Sequence, residues 1–278
     1  METARALAAH GATVMGAVRD LEKARAATAD VTGDLELIKA DLASLASVRE
    51  CTDRLLENGA KFDLLIANAD VMATPEGRTE DGFETQFGAN HLGHFVLMNR
   101  LTPLLEKGGR LVSLSSAGHR ISDVDLEDPN FESTPYDRWQ AYGRSKTANV
   151  LFAVEFDRRH RGRDIRGTAV YPGGIRTELH RHLSPKDMDE LVRSVAAARP
   201  KDAPPPNVKS VAQGAATTLW AGIVAPADQI GGRYCEDCHV APVVEDAGTH
   251  GGVRPYALDL ERAKALWVLS EEMVGESF

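Results

Sequence analysis

Short apolar segments alternate with longer amphipathic segments along almost the whole chain, and this alternation restricts the possible fold more than any other feature. The apolar segments have the length and composition of buried strands, whereas the longer segments have helical periodicity. Strands that alternate with helices at this spacing build an open, mostly parallel sheet with helices on both faces. We therefore predict an α/β fold: a doubly wound parallel sheet in three αβα layers.

The predicted elements cover most of the chain. Strands are expected at residues 12–18, 35–39, 62–67, 110–114, 166–171 and 232–234. Helices are expected at residues 3–10, 44–57, 80–105, 139–161, 211–224 and 258–274. No Gly/Ser-rich or Pro-rich linker and no internal repeat divides the chain, so residues 1–278 are expected to form a single domain.

Composition argues against several classes of function. A net charge of −9 argues against broad nucleic-acid binding, because that binding relies on clustered cations. The basic run at residues 158–163 is interpreted as the solvated end of a helix. No segment is apolar enough for a membrane span, and the nearest one, residues 210–227, is too polar. Three cysteines make no disulfide framework, which favours a cytoplasmic location.

Residues suited to binding or catalysis follow three of the predicted strands. They are Asn68, Ala69 and Asp70 after the third strand, Ser115 and Ser116 after the fourth, and Pro172 and Gly173 after the fifth. Sheets of this kind bind their ligands at the carboxyl ends of the strands. These residues are therefore predicted to border one cleft.

Tyr142 and Lys146 lie four residues apart on a predicted helix, so both side chains project from one face. A phenol ordinarily ionises near pH 10, and the Lys146 ammonium together with an oxidised nicotinamide would lower that pKa. A serine hydroxyl could hold a substrate oxygen while Tyr142 donates or removes its proton. The pair indicates acid–base chemistry, although tyrosine and lysine at this spacing also occur on helices without function.

Six segments resemble, in order, the motifs of the short-chain dehydrogenase/reductase family, and within it the branch of retinol dehydrogenases and the WW-domain-containing oxidoreductase. They are residues 41–42, 65–69, 90–95, 112–116, 142–146 and 171–177. The resemblance implies a Rossmann-like fold. It also implies an oxidoreductase that interconverts an alcohol and an aldehyde or ketone by hydride transfer to or from a nicotinamide.

The resemblance implies a catalytic tetrad of Asn90, Ser116, Tyr142 and Lys146. In the family the asparagine organises a water linked to the lysine, and the serine positions the substrate oxygen. The tyrosine transfers the proton, and the lysine also binds the nicotinamide ribose. Ser115 is the alternative serine.

NADP (NADPH) is predicted as the cofactor, because Arg19 stands where NAD-binding relatives usually have an acidic residue. An arginine can pair with the 2′-phosphate that distinguishes NADP, whereas a carboxylate would repel it. By itself, Arg19 would be interpreted as a solvated residue at a helix start. The resemblance implies further cofactor contacts at Asp41, Leu42, Asn68, Ala69, Tyr142, Lys146, Pro172, Gly173, Ile175 and Thr177.

The resemblance places a variable substrate lid at about residues 178–208 and a further loop, residues 128–131, beside the site. Met188, Leu191 and Val192 in the lid indicate a partly apolar pocket for a small carbonyl or alcohol. The resemblance also allows a homodimer.

Two features depart from the family pattern. The family begins with a strand and a glycine-rich turn, and neither precedes Glu2, so the first strand is expected to be missing and Met1 not to be the natural start. In the expected order 3-2-1-4-5-6-7 that loss would leave backbone groups unpaired inside the sheet. Asp70 replaces a glycine, and its carboxylate either crowds the cofactor or turns outward. The alternative function is therefore a catalytically impaired relative that acts as a binding or interaction protein.

Two motifs have the spacing of metal or haem sites. Residues 235–239 match haem-attachment spacing and half a zinc site, but a structural zinc normally takes four ligands. Two thiols in and after the last strand are the preferred interpretation. His91 and His94 have helical spacing and are interpreted as packing beside the site. No metal is predicted.

Overall fold

A computed structural model describes residues 1–197, 208–245 and 251–278, and its strands and helices alternate as predicted. The strands are β1 (Val14–Val18), β2 (Leu35–Lys39), β3 (Phe62–Ala67), β4 (Leu105–Leu114), β5 (Arg166–Tyr171), β6 (Tyr234–Glu236) and β7 (His239–Val240). The helices are α1 (Glu2–Ala9), α2 (Leu21–Thr28), α3 (Leu45–Glu57), α4 (Thr85–Phe87), α5 (Gly93–Leu101), α6 (Arg138–His160), α7 (Pro185–Ala197), α8 (Val211–Leu219), α9 (Ala227–Ile230) and α10 (Leu260–Val274).

Local side-chain caps explain where several helices begin and end. The Ser44 hydroxyl accepts a hydrogen bond from the Ser47 amide (3.4 Å) at the start of α3. Ser210 and Gln213 form a reciprocal capping box at the start of α8. Gly275 ends α10 with φ of 65°, a left-handed conformation that glycine adopts without a Cβ penalty. These signals lie in the local sequence.

The strands form two sheets. β1 pairs with β2, and β3, β4, β5, β6 and β7 follow one another in the second sheet. All of these pairs are parallel except β6 with β7, which is antiparallel. Parallel neighbours need a crossover connection, and helices supply most of these crossovers.

Helices cover both faces of the larger sheet. Leu65 of β3 and Leu111 of β4 belong to a core that includes residues of α3, α5, α6 and α10. Their neighbours Leu64 and Val112 belong to a second core, with Trp220 just after α8. Because adjacent strand residues point to opposite faces, the sheet lies between two helical layers. The predicted three-layer αβα, Rossmann-like architecture is confirmed.

Each sheet has an unpaired strand edge, on β1 in the smaller sheet and on β3 in the larger sheet. The Val14 amide donates to Asp34, and the Val18 carbonyl accepts from Ala40, so Met15 and Ala17 direct their backbone groups to the other edge of β1. In the described part of the chain, no strand pairs with that edge or with the edge of β3 that faces away from β4. The order is the expected family order without its first strand.

Helices and loops join the two sheets in place of strand hydrogen bonds. α3 packs against α5, and α1 packs against α8. The Leu45 amide donates to the Asp81 carboxylate (2.8 Å). The Leu42 carbonyl approaches Gly93 so closely that a Cβ there would lie 2.4 Å from it. Gly93 therefore permits the contact between the two parts.

The prediction of one helix over residues 80–105 was wrong in detail. The segment contains α4, a π-helical turn at Gly88–Leu92 and α5, followed by a 3-10 turn at Thr102–Leu104. The Glu84 carboxylate caps α4 by accepting from the Gln86 and Phe87 amides (2.9 and 2.7 Å). That cap fixes the helix start after residue 84 and leaves the residues before it in turns.

Other boundaries also differ from the prediction. β4 begins at Leu105, earlier than expected, because Phe62 pairs with Leu105 before the register shifts. β6 begins at Tyr234, the last of the predicted residues 232–234, because Gly232 has φ of 68° and belongs to the preceding turn. The short elements α2 and β7 were not predicted.

Two surface segments are ordinary helices. Arg158 and Arg159, in the basic run, both pair with the buried Glu155 near the end of α6. Residues 210–227 contain α8 and a π-helical turn at Trp220–Val224. Among residues 1–197, 208–245 and 251–278, no helix is long and apolar enough to cross a bilayer.

Candidate active site

The residues predicted to bind and react lie after the carboxyl ends of the parallel strands. They are Arg19 after β1, Asp41 and Leu42 after β2, residues 68–70 after β3, Ser115 and Ser116 after β4, and residues 172–177 after β5. The loops that follow the carboxyl ends of the strands therefore contribute these residues, as predicted for such a sheet.

Helix α6 places Tyr142 and Lys146 one turn apart on its buried face. The Asp137 carboxylate caps the helix by accepting from the Trp139 and Gln140 amides (3.0 and 2.7 Å). Tyr142 is 4% exposed and Lys146 is 2% exposed. The ammonium lies 5.6 Å from the centroid of the tyrosine ring. The shared face expected from the four-residue spacing is present.

The loop after β4 separates the two serines. The Ser115 hydroxyl is buried and donates to the Lys146 carbonyl (2.8 Å), so it supports the backbone of α6. Ser116 is partly exposed, and its hydroxyl acts to lower the pKa of the Tyr142 phenol. This arrangement favours Ser116 over Ser115 as the serine that meets a substrate.

Gly118 allows the tyrosine to approach this loop, and sequence reasoning missed it. A Cβ at Gly118 would lie 2.6 Å from Cε1 of Tyr142, closer than two carbons can pack. The Gly118 amide also donates to the Ser116 hydroxyl (3.0 Å). A glycine two residues after the serine pair was the available signal.

Asn90 holds the loop that follows β3. Its side chain accepts from the Val71 amide and donates to the Val71 carbonyl, both at 2.9 Å. Its amide nitrogen also donates to the Ser145 hydroxyl (3.0 Å). The side chain of Asn90 therefore holds the loop after β3 in place. The backbone carbonyl of Asn90 is hydrogen-bonded to Nδ1 of His94 (3.0 Å).

The Asp70 carboxylate turns into the site and contacts both catalytic candidates. Its Oδ2 lies 2.9 Å from Nζ of Lys146 and accepts from the Tyr142 hydroxyl at 3.3 Å. The side chain is 14% exposed, and Oδ1 is buried without a hydrogen-bond partner. The option that this carboxylate points outward was wrong, because the buried ammonium attracts it.

Burial and the Asp70 charge control the ionisation of the site. Burial raises the pKa of Asp70 above its usual value, although the Lys146 charge acts in the opposite direction. Burial, followed by the Asp70 charge, raises the pKa of Tyr142 well above 10, and the Ser116 hydroxyl acts in the opposite direction. The expected lowering of the phenol pKa is absent here, because burial and the nearby Asp70 charge both favour the protonated phenol.

An apolar cluster borders the Tyr142 ring. It comprises Met72, Ala73 and Tyr142, with Trp139, Leu179 and Leu183 packed against them. Leu179 and Leu183 come from the predicted lid, whose helix α7 is tied to the start of α6 by the Asp187–Arg138 ion pair. Residues 198–207 of the predicted lid lie outside the described residues.

The segment after β5 contains the remaining predicted contacts. Gly173 has φ of 99°, and the Lys209 side chain lies against it, with Nζ donating to the Pro172 carbonyl (3.2 Å). Thr177 accepts from the Leu179 amide (3.3 Å) and caps a turn.

Ile175, a predicted cofactor contact, packs its side chain against helix α8. A Cβ at Gly214 would lie 2.0 Å from Cδ1 of Ile175, so this side chain packs onto α8. Lys209 was also missed, although it follows directly on the predicted lid.

The ends of β1 and β2 carry two exposed cations. Arg19 follows Val18, whose Cα partner in the sheet is Lys39. Both side chains line an open depression of about 530 Å³, together with Asp20, Leu21 and Glu22. Sequence reasoning singled out Arg19 but missed Lys39, because the pairing of the strands brings them together.

Asp41 and Leu42 have structural contacts near this end. The Asp41 carboxylate accepts from the Ala43 amide (3.0 Å), which shapes the turn after β2. Leu42 packs against the main core. After β3, Asn68 and Ala69 are exposed.

The histidines and cysteines with suggestive spacing take part in packing and turns. His91 bonds to the Ser270 hydroxyl (2.8 Å) between aromatic rings, and burial lowers its pKa to about 3. Cys235 is buried in β6, and Cys238 lies in the turn before β7 with φ of 59°. The described ranges contain no group of three or more side chains that could hold a metal ion.

Comparison with known proteins agrees with this geometry. A family model described as short chain dehydrogenase matches residues 1–188. A short-chain dehydrogenase/reductase of Penicillium roqueforti, prx1, is 41% identical over all of this chain and 82% of its own length. Human retinol dehydrogenase 14 is 36% identical over 87% of this chain and 68% of its own length.

A solved structure shows the same fold. The crystal structure of an uncharacterized protein from Mycobacterium paratuberculosis has a TM-score of 0.75 and 36% identity to this chain. The match covers 99% of this chain and 89% of that protein. By its sequence and its architecture, the chain belongs to the short-chain dehydrogenase/reductase family, in the branch that resembles retinol dehydrogenases.

Proposed function

We propose that this protein is an NADP-dependent oxidoreductase that interconverts an alcohol and an aldehyde or ketone. One observation carries the proposal: the Tyr142 hydroxyl and the Lys146 ammonium meet on a single carboxylate, next to the loop that contains Ser116 and Gly118. A buried phenol next to a serine hydroxyl suits proton transfer to a substrate oxygen held between them. The alternative, a binding protein without activity, has in its favour Asp70 and the glycine-rich turn that does not precede Glu2.

The residues at both ends of the site fit a phosphorylated dinucleotide. Arg19 and Lys39 are exposed cations beside an open depression, which suits the 2′-phosphate of NADP better than a bare ribose. Lys146 and Tyr142 offer donors for ribose hydroxyls at the other end. Carboxylates oppose an anionic ligand at both ends, Asp20 and Glu22 at the depression and Asp70 beside Lys146.

The cofactor supplies the hydride when it is bound, and the protein performs the remaining steps. Ser116 would hold the substrate oxygen by a hydrogen bond. In reduction, the Tyr142 hydroxyl would donate its proton to that oxygen. In oxidation, the Tyr142 phenolate would take the proton from the alcohol hydroxyl. Lys146 would stabilise the resulting phenolate, and Asn90 would keep the loop that follows β3 in place.

The apolar cluster supports a substrate with an apolar body. Met72, Trp139, Leu179 and Leu183 surround the side of the Tyr142 ring, so an aliphatic or aromatic carbonyl could pack there while its oxygen meets Ser116. We further propose that residues 1–278 form one domain. A reducing, cytoplasmic location suits the three free cysteines.

The test is NADPH consumption with a panel of aldehydes and ketones, compared with NADH. We expect Tyr142→Phe to lower kcat by about 10²- to 10⁴-fold with a much smaller effect on NADPH affinity, since the proton transfer is lost while Lys146 and the other cofactor contacts remain. Tyr256→Phe is the matched control, because that half-buried hydroxyl donates to the His119 carbonyl away from Asp70 (2.7 Å). Full activity in Tyr142→Phe would refute the assignment.

A further inference from the structure

Asp70 interacts with two groups that the proposed reaction needs. Its Oδ2 forms an ion pair with the Lys146 ammonium (2.9 Å) and accepts a hydrogen bond from the Tyr142 hydroxyl (3.3 Å). Lys146 has one further contact, a longer donation to the Leu114 carbonyl (3.3 Å). The carboxylate is therefore the principal partner of the buried ammonium.

The carboxylate is held in this position by its loop. Asn90 binds both backbone groups of the neighbouring Val71 at 2.9 Å. The Ala73 amide donates to the Gln86 side chain (2.8 Å), which fixes the loop again two residues further on. These hydrogen bonds fix the backbone next to Asp70, so the loop holds the Asp70 side chain toward Lys146.

We propose that Asp70 is a positioning residue that holds Lys146 and Tyr142 in a paired resting arrangement, in which the phenol keeps its proton. This inference rests on the proposed function for its relevance to catalysis. Its physical basis is that one ammonium cannot stabilise a phenolate fully while a nearer carboxylate already shares its charge. The phenol donates to that carboxylate, and the bond is lost when the phenol ionises.

The surrounding charges are consistent with this assignment. The titratable groups facing the phenol are Asp70, Lys146 and Tyr171. His94 of α5 faces Lys146, and burial lowers its pKa to about 4, so it is neutral near pH 7. The groups facing Tyr171 are Arg120, Glu236 and Asp237. Asp70 is the carboxylate that contacts the phenol directly.

The arrangement makes a prediction for the protein without any cofactor. The ionisation of Tyr142 is measured by ultraviolet absorbance during a pH titration. For wild type, the titration of Tyr142→Phe is subtracted. For each other variant, the titration of the double variant that also carries Tyr142→Phe is subtracted. We expect Asp70→Asn and Asp70→Gly to move the ionisation of Tyr142 to a lower pH by about one unit or more, because Lys146 is then free to stabilise the phenolate. Asp63→Asn, an exposed carboxylate on β3, should leave it unchanged.

The outcomes separate this inference from the proposed function. Circular dichroism over the same pH range confirms that each variant remains folded, and Asp70→Gly replaces Asp70→Asn if the latter does not fold. An unchanged ionisation of Tyr142 in the folded Asp70 variant would overturn the inference even in an active enzyme. Absence of NADPH oxidation in every variant would refute the proposed function and leave the titration result standing.

Discussion

The two sheets of this molecule differ in how they are supported. In β1 and β2 only Ile38 is buried, whereas most residues of β5 and the second half of β4 are buried between helical layers. The cations Arg19 and Lys39 belong to the first sheet, and Tyr142, Lys146 and Ser116 adjoin the second. The proposed phosphate contacts and the proposed chemistry therefore rest on parts of unequal stability.

The attachment of the smaller sheet explains this difference. In the described chain, β1 pairs with β2 and with no second strand. Packed helices and loops therefore connect the two sheets. Backbone groups of an unpaired edge are bonded to water or open readily. The smaller sheet should move more independently than one strand pair inside a continuous sheet.

Hydrogen exchange gives the largest expected difference between the sheets. The amides of Met15 and Ala17, on the unpaired edge of β1, should exchange about 1000-fold or more faster than those of Leu111 and Val112. The physical reason is that exchange at β4 requires opening of the main cores. Amide exchange followed by mass spectrometry or NMR measures it, and equal protection would show that the two sheets open together.

Cofactor selectivity tests the role of the smaller sheet with a smaller effect. Arg19→Ala and Lys39→Ala should each weaken NADPH binding by about tenfold or more and leave NADH binding nearly unchanged, because each loses a charge-assisted bond to the 2′-phosphate. Fluorescence titration measures both affinities. Arg54→Ala is the control, since this exposed arginine lies on α3 and does not line the depression. Equal losses for NADPH and NADH would exclude a 2′-phosphate site.

The smallest expected difference is in how acid affects stability, and it is between one ion pair beside the larger sheet and one beside the smaller sheet. The bond to Arg138 lowers the pKa of Asp187 to about 2, whereas Asp30, paired with Arg5 beside the smaller sheet, has a 75% exposed side chain. A lowered pKa stabilises the fold above the unfolded value of about 3.9 and loses that contribution as the pH falls toward 2.

Thermal unfolding at several pH values checks this difference. Wild type should be more stable than Asp187→Asn at pH 6, and the gap should close between about pH 4 and 2. Asp30→Asn should resemble wild type at every pH, because exposed pairs contribute little. A gap that persists at pH 2 would show that Asp187 stabilises α7 without its charge.

Local patterns predicted much of the fold and of the site. The strands at residues 35–39, 62–67 and 166–171 were predicted with their observed bounds, because buried strands have a period and composition that can be read from neighbouring residues. The four-residue spacing of Tyr142 and Lys146 likewise implied a shared face. The break in the helix around Glu84 was missed, since an acidic cap inside an amphipathic segment looks like any solvated residue.

Contacts between distant segments could not be predicted in the same way. Lys39 lies near Arg19 only because β1 and β2 pair in a particular register. Gly118 matters only because the Tyr142 ring lies against it. The side chain of Ile175 packs onto α8 because Gly214, a distant residue in the sequence, leaves room for it there.

The sequence by itself determined the order of strands and helices, the family and the set of residues that gather at the strand ends, since periodicity and motif spacing are local properties. Only the tertiary structure decided the direction of the Asp70 carboxylate and the protonation of Tyr142. Those depend on burial and on a lysine from another element, and electrostatic forces in a buried site act through space between groups that the chain order does not connect.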